Sequence, residues 1–346
     1  PSTGRAYGLD FPLLHMADLV AAQRRLVNRL GIDRLHGAVG GSLGGMQVLQ
    51  WALEAPEEIG RAVLVAASSR LTAENVAFSS VARAAILEDP DFREGRYFEH
   101  DTSPELGLKI ARMLAHITYV SGASLETKFG HRRRAPDAPG RLDADFEVEH
   151  YLQHQGAAFL ERFDALTYLH LTRPMDYFDP FGDHGGVAPS TRFQLVSFDS
   201  DWRFPTAHSL RIRDELLARG VAVQHTEVAS PWGHDSFLLT PPGYHATVRA
   251  FLDRYRAKHQ RGIEAAMLGD LGKLAEVKGA RVAAAERKLE GDASAWRLIL
   301  AGLLLRLAVR VGRGRLAVRV LLLAVAAGVA AGRGGPRGRG HRGNAS

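Results

Sequence analysis

Leu35-His36-Gly37-Ala38-Val39-Gly40-Gly41-Ser42-Leu43-Gly44-Gly45-Met46 is the stretch on which the reading of this chain turns. A short, mostly apolar run (35–39) enters Gly40-Gly41-Ser42-Leu43-Gly44, a G-x-S-x-G pattern, and helical spacing follows over 46–53. Strand, glycine-rich turn and helix are what a nucleophilic serine on a sharp elbow needs. Small residues are expected two before and two after the serine, where side chains would clash in the turn. Ser42 itself is expected in a strained conformation that lifts its Oγ above the sheet. The N–H of Leu43 is then placed to meet a developing oxyanion. With 36 glycines in the chain the short pattern alone is common, so its flanking strand and helix decide the reading.

Outward from the elbow, 17–30 carries apolar residues at 19, 20, 26, 27 and 30, a helical spacing closed by Gly31. The run 61–67 reads as a buried strand. Strand–helix–strand at this spacing is a βαβ unit, which implies a mostly parallel sheet flanked by helices. Between 70 and 188 strand signals fade and helical patterns appear over 74–88, 104–118 and 146–160, with loops at 131–143 and 179–189. The alternation resumes with a strand at 193–198, a helix at 207–219, a strand at 221–228 and a helix at 241–257. The expected architecture is an α/β core (1–69 and 189–260) interrupted by a helical lid insertion (70–188).

Length and composition point to about two domains' worth of globular chain with an unusual end. The chain has 346 residues, 46% hydrophobic and 24% charged, enough to bury a sizeable core. It has no cysteine, which excludes disulfides, thiolate metal centres and a cysteine nucleophile. The net charge of +6 is concentrated beyond residue 290, where ten arginines meet only Asp292. Over 1–290 there are 34 Lys+Arg against 37 Asp+Glu, a net of −3, so no basic groove for nucleic acid is indicated. The stretch 263–290 has the composition of an exposed charged helix. The low-complexity basic tail, 261–346, is expected to lie outside the fold. An interfacial amphipathic segment over 297–331, a weak polyanion-binding Gly/Arg end and a shifted reading frame all fit its composition, and no function is assigned to it. No leader-like or membrane-spanning run is present, so no membrane partner and a cytoplasmic location are expected.

A serine nucleophile on such an elbow is followed along the chain by an acid and then a histidine. The strand at 193–198 runs into Asp199-Ser200-Asp201-Trp202-Arg203-Phe204-Pro205, and either aspartate fits. Asp201 is favoured by its D-x-x-x-P form, with Asp199 read as a turn residue. His234, in the Gly-flanked loop Ser230-Pro231-Trp232-Gly233-His234-Asp235, is the base.

Six segments carry a specific resemblance. They are Gly-Gly-Ser-Leu-Gly-Gly-Met-Gln (40–47), Arg-Leu-Thr-Ala-Glu-Asn-Val-Ala-Phe (70–78), Ala-Arg-Met-Leu-Ala-His-Ile-Thr-Tyr (111–119), Lys-Phe-Gly (128–130), Met-Asp-Tyr-Phe-Asp (175–179) and Gly-His-Asp-Ser-Phe-Leu (233–238). They resemble the homoserine O-acyltransferases, α/β-hydrolase-fold enzymes of methionine biosynthesis, from residue 1 to about 258. The resemblance implies transfer in two halves, with Ser42 taking an acyl group from acetyl-CoA or succinyl-CoA and passing it to L-homoserine. It implies no other cofactor and no metal. It places Arg112, Asp235 and Tyr119 around the amino acid, and a homodimer built through the lid. Arg112 in a lid-helix salt bridge and Asp235 as a helix cap are the plainer alternatives. Acetyl is the commoner donor in the family, whereas Leu43 and Arg203 resemble the pair in succinyl-using members. The alternative for Arg203 is a surface pair with Asp199. A same-fold esterase and an inactive fragment are the rival readings. Only one helix precedes residue 35, so the early strands and a second oxyanion donor are expected to be missing, as in an N-terminally shortened member.

Overall fold

The structure is a computed structural model and describes residues 6–183 and 190–253. Helix α1 (Met16–Arg29) precedes strand β1 (Ala38–Gly41), helix α2 (Leu43–Glu54) and strand β2 (Arg61–Val65). Six helices follow: α3 (Ala73–Leu87), α4 (Glu105–Tyr119), α5 (Gly122–Phe129), α6 (Glu147–Leu160), α7 (Ala165–Asp176) and α8 (Pro180–Asp183). The chain then returns to β3 (Arg192–Phe198), α9 (Thr206–Ala218), β4 (Val223–Val228) and α10 (Tyr244–Asp253). The four strands are parallel in the order β1-β2-β3-β4. This is an α/β-hydrolase-type α/β fold, with the helical segment entering between β2 and β3. The outer side of β1 has no strand partner among the described residues.

Every residue of β2 is buried, as is β3 after Arg192. That explains why both read as continuous apolar runs: a parallel strand covered on two faces has no polar side to alternate. Leu64, Phe193 and Leu195 pack with Met46 and Leu49 of α2 and with Ile212 and Leu216 of α9. The inserted helices have a cluster of their own, built on Ala82, Ile86, Phe92, Leu108, Ala111 and Leu169. A buried ion pair, Arg83 Nη2 to Asp176 Oδ2 at 2.7 Å, ties α3 to α7.

The expected helices at 74–88, 104–118, 146–160 and 207–219 fall within a residue or two of α3, α4, α6 and α9. The strand expected from 35 begins at Ala38, and Leu35 makes only an isolated bridge with Ile59. Three helices were not legible: α5, α7 and the four-residue α8, which falls in the stretch 179–189 expected to be a loop. The first is only eight residues long, and the second carries Pro174 inside it. Helix α10 begins at Tyr244, and the rest of the stretch expected to be helical to 257 lies outside the described residues. So do the stretches 263–290 and 297–331. Among the described residues, 6–28 and 33–253 belong to one compact unit. No helix among the described residues is long and apolar enough to cross a membrane.

Helices α3 and α4 approach closely at Gly107. A Cβ there would stand 2.2 Å from the Ala85 carbonyl oxygen and 2.7 Å from the Ile86 Cα, both backbone atoms. Gly107→Ala should therefore lower stability by about 1–3 kcal/mol, as overpacking does. Gly122→Ala, with nothing within 4 Å of its Cβ, is the control and should be near neutral. Thermal melting of both variants checks this; equal melting points would mean the helices simply move apart.

Candidate active site

The elbow is built as its sequence demands, with one exchange of roles. Ser42 sits at φ 53°, ψ −121°, between the end of β1 and the first turn of α2. Its N–H donates to the Val65 carbonyl at 2.9 Å, and its own carbonyl accepts from Met46 N at 3.1 Å. A Cβ on Gly40 would lie 2.2 Å from the carbonyl carbon and oxygen of Gly44, so a residue two before the serine must be glycine. The residue two after, Gly44, has nothing within 4 Å of its Cβ position. The expected crowding there belongs instead to Gly45, whose Cβ would meet Ala67 Cβ at 2.6 Å. The helix turns the face of Gly44 outward and that of Gly45 into the sheet. Leu43 opens α2, so its N–H has no acceptor within the helix and is free for an oxyanion.

Ser42 Oγ lies 2.8 Å from His234 Nε2, and His234 Nδ1 lies 2.8 Å from Asp201 Oδ2. The other carboxylate oxygen of Asp201 accepts from Phe204 N at 2.9 Å. Such a chain of contacts fixes one tautomer: Nδ1–H donates to the carboxylate and bare Nε2 accepts from the serine. Asp201 and His234 are 3% and 2% exposed, so the pair is shielded from solvent. Phe204, Phe237 and Tyr119 pack around the imidazole, with ring centroids 5.1, 5.6 and 5.8 Å away. Asp199 instead accepts from Ser230 N at 2.8 Å and holds the two loops together, the turn role expected of it.

The helical insertion is docked onto these loops. Thr72 and Asn75 cap α3 reciprocally, and Asn75 Nδ2 donates to the Arg203 carbonyl at 2.9 Å. Trp202 Nε1 donates to the Val120 carbonyl at 3.0 Å. Gly233, at φ 73°, lies so close to the α4–α5 junction that a Cβ would stand 2.5 Å from Ser121 N.

This docking brings the remaining expected residues together. Arg112, on α4, lies with its guanidinium carbon 5.7 Å from the Tyr119 ring centroid and 5.1 Å from that of Phe159. No carboxylate pairs with it among the described residues, and its buried Nε has no hydrogen-bond partner. The lid salt bridge is thus not formed. Asp235 is not a cap, since the short helical turn that contains it begins after Trp232. Burial pushes its carboxyl pKa up, opposed by the nearby His234 and Arg112 charges. Arg203 does not pair with Asp199. It is 8% exposed, donates from Nη1 to Thr118 Oγ1 at 3.4 Å and faces the rings of Tyr119 and Phe204. Sequence reading gave no role to Thr118, although it lies within the quoted segment 111–119, and missed Phe159 and Tyr151, which no motif marks and only helix packing delivers.

A family model described as the alpha/beta hydrolase fold matches residues 2–241. A homoserine O-succinyltransferase of Nocardioides sp. is 64% identical over 256 residues, covering 73% of this chain and 69% of that protein. The chain belongs to the homoserine O-acyltransferase family. A second member, a homoserine O-acetyltransferase of Rhodopseudomonas palustris, is 50% identical over 259 residues, covering 73% of this chain and 65% of its own. The chain thus spans about two thirds of the length of these relatives. Among solved structures, homoserine O-acetyltransferase from Bacillus anthracis matches with a TM-score of 0.62 at 21% identity, covering 74% of this chain and 67% of that one. An esterase matches with a TM-score of 0.65 at 22% identity, covering 73% and 70%. At such identities the structural matches speak for the fold alone.

The elbow of this family member yields a paired prediction. Gly40→Ala should prevent the turn from closing and leave little soluble, folded protein, because its Cβ meets backbone that cannot yield. Gly44→Ala should fold and gain up to about 1 kcal/mol from helix propensity. Soluble yield and melting temperature decide it; a Gly40→Ala variant as stable as the parent would refute the packing argument.

Proposed function

We propose that this chain transfers an acyl group from acyl-CoA to the hydroxyl of L-homoserine through an acyl-enzyme on Ser42. The unbroken Ser42–His234–Asp201 hydrogen-bond line carries this reading. In the first half, His234 Nε2 takes the serine proton as Oγ attacks the thioester carbonyl. The tetrahedral oxyanion is met by Leu43 N–H, and the intermediate collapses as His234 protonates the departing CoA thiolate. In the second half, His234 takes the homoserine hydroxyl proton, the freed oxygen attacks the acyl-enzyme, and Ser42 leaves with that proton. Asp201 holds the imidazole in the required tautomer and stabilises its charged form in both halves.

The acceptor reading rests on opposite charges set side by side. Arg112 is a guanidinium without a carboxylate, and Asp235 is a half-buried carboxylate next in sequence to His234. An α-carboxylate suits the first and an α-ammonium the second. A same-fold esterase has no need of such a pair. Helices α3 to α8 serve here as a cover that keeps water from the acyl-enzyme.

Mass spectrometry after mixing with acyl-CoA tests the nucleophile. The parent should gain one acyl group and Ser42→Ala none; an adduct persisting in the variant would remove Ser42 from the mechanism.

For the donor, acetyl is the default, and one observation favours a second reading. Arg203 is buried with a hydroxyl and two aromatic rings but, among the described residues, no carboxylate partner. A buried cation without a counter-ion is costly, and the terminal carboxylate of a succinyl group would supply one. Arg203→Leu should then lower kcat/KM for succinyl-CoA by about tenfold or more while sparing acetyl-CoA. Equal losses with the two esters would make Arg203 structural and leave acetyl transfer in place.

A further inference from the structure

The face of α4 that carries Arg112 and Tyr119 also carries His116, one turn beyond Arg112. His116 is 6% exposed, and burial, reinforced by the positive charges of Arg112 and Lys128, depresses its pKa to about 4. It is therefore neutral at physiological pH and has a single N–H. Its Nε2 lies 2.8 Å from Tyr151 Oη, while its Nδ1 is buried with no partner. An orphaned N–H is rarer in protein interiors than an orphaned acceptor. The proton is thus assigned to Nε2, which donates to Tyr151 Oη. That direction leaves the tyrosine's own proton without an acceptor among the described residues.

Helix α6 supplies both neighbours of this face: Phe159 lies against Arg112 and Tyr151 against His116. The Tyr151 ring is held on its other sides by Phe129, at 4.8 Å between centroids, and by Lys128, whose Nζ lies 4.1 Å from the ring centroid. Burial raises the pKa of its hydroxyl, Asp235 adds to that rise and Arg112 opposes it, the last two being the groups assigned to the acceptor. The hydroxyl thus stays protonated as a donor.

We propose that Tyr151 is a further acceptor-binding residue, its hydroxyl oriented by His116 to donate a hydrogen bond to the α-carboxylate of the amino-acid acceptor held by Arg112. The inference rests on the acyl-transfer reading above and deepens it. Recognition of the carboxylate is then shared between a charge from α4 and a neutral donor from α6, so two helices of the lid must be in register for the acceptor to bind well. His116 touches no substrate; it is a positioning residue that fixes which way the tyrosine proton points.

The test compares L-homoserine with 3-aminopropan-1-ol, which keeps the hydroxyl and amine but lacks the carboxylate. Tyr151→Phe should raise KM for homoserine about tenfold or more. It should leave Ser42 acylation by acyl-CoA and the use of 3-aminopropan-1-ol unchanged. Equal losses with the two acceptors, or no change with either, would overturn the inference and make Tyr151 a packing residue. Should the parent enzyme itself show no preference for homoserine over 3-aminopropan-1-ol, the acceptor assignment of Arg112 and Asp235 falls and takes the inference with it. A parent that prefers homoserine, matched by an equally selective Tyr151→Phe, removes the tyrosine alone.

Discussion

A single backbone conformation, Ser42 at φ 53° and ψ −121°, is what the rest of this molecule is arranged to hold. An L-residue in that region carries strain of roughly 1–3 kcal/mol, and it persists only where the surroundings determine it more strongly. Here the restraints come from three directions. The Val65 carbonyl takes the serine N–H, the first turn of α2 takes its carbonyl, and glycines 40 and 45 let strand and helix close to a spacing that no side chain would permit. The fully buried β2 strand supplies a rigid floor for the first of these contacts. In return, the strain aims Oγ at His234 and the leading N–H of α2 at the place where negative charge would appear.

Holding the serine is of little use unless the lid is locked to the loops that carry its partners. The contacts that do this are backbone-directed: Asn75 to the Arg203 carbonyl, Trp202 to the Val120 carbonyl, and Gly233 pressed against Ser121. Such contacts specify position more than they add stability, since an intramolecular hydrogen bond is worth only about 0.5–1.5 kcal/mol net. Their effect is to place Tyr119 against His234 on one side and against Arg112 and Arg203 on the other. The Ser42–His234–Asp201 line and the two arginines thus share a wall.

That wall contains polar groups left incompletely paired. Arg112 Nε and His116 Nδ1 are buried with no partner among the described residues, and Arg203 has a hydroxyl where a carboxylate would serve better. Structural sites rarely tolerate this, because a buried unsatisfied polar group costs roughly 1–3 kcal/mol. A site that recognises a charged substrate does tolerate it, since the ligand completes the pairing. The triad arrangement is common to transferases and hydrolases of this fold, so the proposed acceptor role rests on these incompletely paired groups beside it and not on the triad.

The elbow was legible in the sequence because its constraint is local. Glycines 40 and 45 bracket Ser42 within six residues, so steric necessity writes itself into the chain, although the pattern pointed to Gly44 where Gly45 bears the load. The order of serine, acid and histidine was equally readable, as were the long helices α3, α4, α6 and α9, whose spacing is set by their own buried faces. Asp201 could be preferred over Asp199 by its distance from Pro205, but only the fold showed Asp199 bonded to Ser230 instead. The burial of Arg203 against Thr118, the freedom of Arg112 from any lid carboxylate and the pairing of His116 with Tyr151 were not readable at all. The first and the last join separate elements through contacts between residues 85 and 35 positions apart, with no periodicity or motif to connect them. Short-range sterics determined where the nucleophile stands; the docking of separate helices decided what it faces.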